Sequence, residues 1–196
     1  MKQVIIFGGA FNPPSRGHVW ILGRCAQIAR ASGAEIWIIP SGERRDKYIG
    51  VSRQTRVELC EAMQADAQLE PGLARIITTE LDRAKLVETI DTVRELTRQY
   101  PDHHFRWVFG ADSYATMRQW RGGDWLAEHL DMLIVTRNGL QIETRQNVEI
   151  LHGINDDISS TQIRTVYAKG DDAGSMVTPR VKDLLMAREI RYTEGE

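Results

Sequence analysis

Apolar residues along this chain fall into two arrangements that alternate: short unbroken runs, and longer stretches in which they recur every three or four positions. An unbroken run such as Val4 to Phe7 suits a strand covered on both faces, whereas the wider spacing suits a helix with one buried face. Gly8 to Pro14 breaks the first run. From about Gly17 to Ala31, Val19, Leu22, Ala26 and Ala29 lie at helical spacing until Ser32 and Gly33 end the pattern. Ile36 to Ile39 predicts a second strand, stopped by Pro40. Ser41 to Gly50 is polar and predicts a loop, after which Ser52 caps a helix running to about Ala65. Ala74 to Thr78 predicts a third strand, Thr89 to Gln99 a helix, and Phe105 to Phe109 a fourth strand. Leu133 to Thr136 and the shorter Val148 to Leu151 complete the strands. From Ser159 onward only helical signals remain, Thr161 to Ala168 and Pro179 to about Arg188, with Pro179 suited to a first helical turn.

This alternation predicts an α/β fold, a Rossmann-like open parallel sheet with helices on both faces and a C-terminal helical segment. No repeat or low-complexity linker divides the chain. Residues 1–196 read as a single domain, with 1–158 as the α/β core and 159–196 as the helical piece.

Composition narrows the function more than the fold. Apolar residues make up 42% and charged residues 27%, so a full core needs no metal or disulfide staple. The formal net charge is -2 with both signs interleaved. Without a basic block or an aromatic-rich tract, nucleic acid is not an expected partner. The apolar run near the N-terminus is too short for a signal peptide or a membrane span. Cys25 and Cys60 lie in helical stretches and read as buried small hydrophobes, which fits a reducing cytoplasm. A homo-oligomer is compatible with all of this.

The most informative segment is GGAFNPPSRGH, Gly8 to His18, between the first strand and the first helix. In open parallel sheets ligands bind beyond the carboxyl ends of the strands, and a helix N-terminus offers free N–H groups and positive potential to phosphate. Gly8 and Gly9 allow a sharp turn and close approach of a ligand, Pro13 and Pro14 stiffen the loop, and Gly17 keeps the helix entry thin. That places the imidazole of His18 beside a phosphate-binding helix end. The same residues also suit a tight turn with a capping histidine. Two familiar alternatives fail on residues: the spacing is not G-x-G-x-x-G, no acidic residue ends the second strand, and no G-x-x-x-x-G-K-[ST] is present.

GGAFNPPSRGH resembles the signature G-x-F-[DN]-P-x-[HT]-x-G-H of the adenylyl- and cytidylyltransferase superfamily. A second signature of that superfamily, I-S-S-T-x-[IL]-R, stands as ISSTQIR from Ile158 to Arg164. Between them, ETIDTVREL (Glu88 to Leu96), WVFGADSYATMRQW (Trp107 to Trp120) and DMLIVTRNG (Asp131 to Gly139) are similar to segments of bacterial nicotinate-mononucleotide adenylyltransferases. The resemblance covers nearly the whole chain.

It implies adenylyl transfer from ATP to nicotinate mononucleotide, or to nicotinamide mononucleotide, giving deamido-NAD or NAD and pyrophosphate. His18, Arg164 and Lys47 are the implied catalytic residues, with Arg44 and Arg45 as alternatives to Lys47 and a solvated loop as the plain reading of all three. Gly8, Gly9, Ala10, Phe11, Ser15, His18, Gly110, Asp112, Ser159, Ser160, Thr161 and Arg164 are the implied ATP contacts. Asn12, Thr89, Asp91 and Trp120 are the implied contacts of the pyridine nucleotide. Trp120 suits stacking on a pyridinium and equally suits a core or rim position. Ser-Ser-Thr before a helix is also ordinary capping chemistry. Ser15 stands where the family has histidine or threonine, so a neutral hydroxyl replaces a charge or matches a hydroxyl. The other histidines, His103, His104, His129 and His152, and Trp125 carry no motif and read as structural or surface residues.

The implied reaction is in-line attack of a mononucleotide phosphate on the α-phosphorus of ATP. A phosphate nucleophile is already ionised, so no general base is required, and catalysis rests on positioning and on charge stabilisation. Mg²⁺ is implied, held mainly by the ATP phosphates rather than by a protein metal site. A protonated His18 would serve phosphate best, with bound phosphate raising its pKa and the helix end lowering it. Pantetheine phosphate or another phosphorylated acceptor, or a non-catalytic nucleotide-binding role, are the competing readings.

Overall fold

The computed structural model describes residues 1–43, 50–83, 86–136, 142, 145–153, 158–190 and 192. Among these described residues six strands form one sheet: β1 (Lys2–Gly9), β2 (Glu35–Pro40), β3 (Ala74–Ile76), β4 (His103–Gly110), β5 (Asp131–Thr136) and β6 (Val148–His152). Their order is β3-β2-β1-β4-β5-β6, and every pairing is parallel. Parallel neighbours need crossovers, which the helices supply: α1 (Arg16–Ser32), α2 (Arg53–Asp66), α3 (Thr89–Gln99), α4 (Ala111–Thr116) and α5 (Gly123–His129). α6 (Ser160–Ala168) and α7 (Pro179–Ala187) follow the sheet.

Alternation along β1 explains why helices are needed on both faces. Ile5 and Phe7 join Leu22, Cys25, Ala26, Cys60 and Met63 in a core formed with α1 and α2. Val4 and Ile6 join Ile90, Val93, Leu96 and Leu126 in a second core formed with α3 and α5. Consecutive strand residues point to opposite faces, so the unbroken run Val4–Phe7 feeds both cores. Both cysteines are buried, and burial pushes each thiol up to about 12.

The C-terminal helices build a third cluster. Leu59 of α2 packs with Ile163, Val181, Leu185 and Tyr192, so α6 and α7 cover the side of α2 turned from the sheet. α2 is therefore buried on two sides, although its sequence shows only one apolar stripe.

Every strand and helix expected from the pattern is present, with ends shifted by one or two residues. α4 and α5 were not expected. At six and seven residues they complete too few turns to display a period. No helix among the described residues is long and apolar enough to cross a membrane.

The strand order reverses between β1 and β4, which are neighbours although two strands and three helices separate them in sequence. In such sheets the connections leave the two strands on opposite faces, opening a crevice beyond their carboxyl ends. Gly8 and Gly110 lie at those ends and are exposed, whereas Phe7 and Val108 before them are buried.

Candidate active site

The loop after β1 turns by means other than its glycines. Gly8 and Gly9 are the last residues of the strand and neither has a positive φ. The turn is made by Phe11, at φ 45°, and by a cis Asn12–Pro13 bond. A side chain in that left-handed region costs about 1–2 kcal/mol. Burial holds it there: the Phe11 ring is fully buried, edge-on to Phe7 at 5.1 Å and to His18 at 5.3 Å. Gly9 fits closely for a reason the sequence conceals. A Cβ there would stand 3.0 Å from two atoms of the Phe11 ring.

Ser15 is the N-cap of α1 and forms a capping box with His18. Its N–H lies 3.0 Å from Nδ1 of His18, and its Oγ lies 2.9 Å from the same nitrogen. The capping-histidine geometry is therefore the one the structure adopts, with His18 in the first turn of α1. Ser15 itself is only 1% exposed.

The second motif docks onto this loop from the far end of the chain. Ser159 caps α6 through Gln162, and Ser160 Oγ donates to the Pro13 carbonyl at 2.8 Å. Arg164 is 8% exposed. Its Nη1 donates to the Asn12 carbonyl at 2.9 Å and its Nη2 to Thr161 Oγ1 at 3.1 Å, while its buried Nε has no hydrogen-bond partner. Asn12 is held from the other side, where Tyr192 donates to its Oδ1 at 3.0 Å. Segments some 150 residues apart in sequence are thereby brought to a single loop, and the N-termini of α1 and α6 are set side by side.

Of the residues expected around the pyridine ring, Thr89, Asp91 and Trp120 lie together on the opposite face of the sheet, whereas Asn12 belongs to the β1 loop, bonded to Arg164 and Tyr192. Trp120 is half-buried and edge-on to Phe109 of β4 at 6.1 Å. The next residue, Arg121, pairs with both Glu88 and Asp91 at the start of α3, where Thr89 is the first helical residue. Arg121 beside Asp91 holds that carboxyl below the usual carboxylate range, opposed by partial burial and helped by the Glu88 N–H. Gly110 and the exposed Asp112 stand at the end of β4 and in the first turn of α4. Ala10 follows Gly9 at the end of β1 and is half-buried. Lys47, Arg44 and Arg45 lie outside the described residues.

Two residues near the crevice went unnoticed in the sequence. Arg56 is 3% exposed and donates through Nη2 to the Ser41 carbonyl at 2.7 Å, just beyond β2. Burial pulls its pKa down, opposed by Cys60, Glu80 and Tyr192. A signal existed: Arg56 sits at helical spacing with the buried Cys60 and Met63, a cation on the apolar stripe. Glu80 ties the end of β2 to α3, accepting from Gly42 N–H at 3.2 Å and from Thr92 Oγ1 at 2.6 Å. No pattern marked it, because it lies in a turn between elements.

Among the described residues no three His, Cys, Asp or Glu side chains converge as a metal site. The crevice offers N–H groups, hydroxyls, imidazole and guanidinium, a donor set for an anion.

The cytidylyltransferase-like family model matches residues 6–166. A probable nicotinate-nucleotide adenylyltransferase of Shouchella clausii is 30% identical over 198 residues, covering 100% of both chains. Another, of Exiguobacterium sibiricum, is 30% identical over 186 residues, covering 93% of this chain and 95% of the relative. Among solved structures, the Plasmodium falciparum nicotinic acid mononucleotide adenylyltransferase complexed with NaAD superposes with a TM-score of 0.84. It covers 97% of each chain at 18% identity, a likeness of fold. The strand order, the paired end motifs and these full-length matches lead to one assignment: the chain belongs to the cytidylyltransferase-like family and, within it, to the nicotinate-nucleotide adenylyltransferases.

Proposed function

We propose that this protein transfers the adenylyl group of ATP to nicotinate mononucleotide, releasing pyrophosphate and forming deamido-NAD. The observation that carries the proposal is the junction at the sheet's switch point, where the α6 motif is docked on the β1 loop. It sets His18, two helix N-termini and the buried charge of Arg164 around one loop. Such an arrangement favours a polyphosphate, because N–H donors and positive potential are fixed before the ligand arrives.

In the reaction, a non-bridging oxygen of the mononucleotide phosphate attacks the α-phosphorus, and the bond to the bridging oxygen breaks with pyrophosphate leaving in line. His18 and the N-terminus of α1 would donate to the phosphates. Ser159, Ser160 and Thr161, at the start of α6, would receive the departing pyrophosphate. Arg164 holds the loop in shape while contributing a permanent positive charge. Lys47 remains the lysine proposed to meet phosphate. Trp120 would stack on the pyridinium, with Thr89 and Asp91 beside it, and Asp112 would accept ribose hydroxyls. Mg²⁺ would arrive on the triphosphate, where it neutralises phosphate charge, and the described donor set of N–H groups, hydroxyls, imidazole and guanidinium would meet the phosphates around it. A cytoplasmic location accords with two buried, reduced cysteines.

The test is pyrophosphate release with ATP and Mg²⁺, run separately with nicotinate mononucleotide and nicotinamide mononucleotide. Release with the first at the higher specificity constant is expected. Release with the amide alone would reverse the acceptor, and silence with both would overturn the proposal.

A further inference from the structure

Ser15 departs from the family signature, and its surroundings give that departure a role. The residue is buried, and two of its atoms face one ring nitrogen, Nδ1 of His18. A backbone N–H can only donate. Nδ1 of His18 must therefore accept, and the ring hydrogen must reside on Nε2. We propose that Ser15 is a positioning residue that fixes His18 as its Nε2–H tautomer and sets the ring's orientation, so that His18 meets ATP as a pre-aimed hydrogen-bond donor. The proposal rests on the reading of His18 as a phosphate contact.

Three features of the geometry support it. Turning the imidazole over would set a carbon-bound hydrogen against the Ser15 N–H and leave a buried donor unpaired. An imidazolium, with hydrogens on both nitrogens, would set its Nδ1–H against the same amide. The ring is also restricted on its faces and edges by apolar neighbours, Phe11 from the loop at 5.3 Å and Phe7 from β1 at 6.3 Å. Among the described charged groups, Arg16 on the same helix donates to the Ser175 carbonyl, and Arg164 of α6 donates to the Asn12 carbonyl. The first turn of α1 holds no acidic residue.

This also accounts for a serine at a place where the family has histidine or threonine. The useful atoms are the N–H, which every residue but proline supplies, and a hydroxyl that both caps the helix and touches Nδ1. Threonine supplies the same pair. The hydroxyl's own contribution is orientation: Oγ accepts from the His18 N–H at 3.4 Å and holds the first turn closed.

Long-range ¹H–¹⁵N correlation spectra of the full chain without nucleotide, at about pH 8 and so above the ordinary imidazole range, test the tautomer directly. The His18 resonances, assigned by their loss in His18→Gln, are expected to show Nε2 protonated and Nδ1 bare. Protonation at Nδ1, or rapid averaging of the two tautomers, would overturn the proposal. Kinetics test the hydroxyl. Ser15→Ala is expected to lower kcat about ten- to a hundredfold through misaimed donation, with KM for the mononucleotide unchanged, and Ser15→Thr to restore it. A wild-type kcat in Ser15→Ala, or a Thr variant as slow as the Ala variant, would count against it. A wild-type protein that forms no dinucleotide would remove the adenylyl-transfer reading alone, since the spectrum decides the tautomer without turnover.

Discussion

On the β1 side of the crevice, Phe11, Asn12 and Ser15 are buried, and Asn12 is joined to Arg164 of α6 and to Tyr192 by hydrogen bonds while Ser15 is bonded to His18. On the α3 side, Glu88 and Asp91 are joined to Arg121 by ion pairs whose side chains remain 35–48% exposed. The first side is a preorganised donor surface, because each group is held by partners that cannot leave without exposing a buried polar atom. The second is held by contacts that water and salt compete with. The division suits the roles proposed for the two sides, in which triphosphate charge is met without reorganisation and an acceptor ring is admitted by a surface that adjusts.

Breaking the first side should have the larger consequences. His18→Ala removes the donor proposed to meet developing charge and is expected to cost about 10²–10³ in kcat, with a thermal transition close to wild type. Steady-state kinetics beside calorimetry check this, and near-normal turnover would exclude His18 from the reaction. Gly9→Ala places a methyl 3.0 Å from the Phe11 ring and should destabilise by about 1–3 kcal/mol while disturbing His18 through the shared aromatic contact. Urea unfolding measures the first effect and kcat the second. Tyr192→Phe leaves Asn12 Oδ1 without its donor and should cost about 1–3 kcal/mol, although Tyr192 lies near the far end of the chain.

The α3 side should yield less. Arg121→Gln is expected to raise KM for the mononucleotide several-fold while leaving stability at neutral pH almost unchanged. Its pH signature has a definite sign. The Asp91 carboxyl is held low by Arg121, so the pairing stabilises the fold above the ordinary carboxylate range and is lost as pH falls through the depressed folded value. Arg121→Gln should therefore flatten that part of the acid limb, seen as a smaller stability loss on acidification. An Arg121→Gln effect on stability as large as that of Tyr192→Phe would erase the distinction between the two sides.

Much of this was legible in the chain itself. The unbroken run Val4–Phe7 marked a central strand because both faces of a parallel sheet are covered, and helical spacing marked α1, α2 and α3 because each buries a stripe. The end motifs located the loop after β1 and the start of α6 because their residues are contiguous. What the pattern misread was the role of the glycines. Gly8 and Gly9 looked like the turn, yet the turn belongs to Phe11, and Gly9 is small to make room for that ring. A short-range pattern registers that a residue lacks a side chain, not which distant or neighbouring group fills the space.

The amino-acid order by itself determined the alternation of strands and helices and the family, since each depends on local periodicity or a contiguous motif, whereas the strand order and its reversal between β1 and β4 came with the assembled sheet. Only the tertiary structure decided that Arg164 and Tyr192 hold Asn12, that Arg56 is a buried cation beside Ser41, and that Trp120 joins α3 through Arg121. Those facts are pairings between segments distant along the chain. Their energies arise from desolvation and hydrogen bonding in the folded interior, which do not exist until the sheet has assembled.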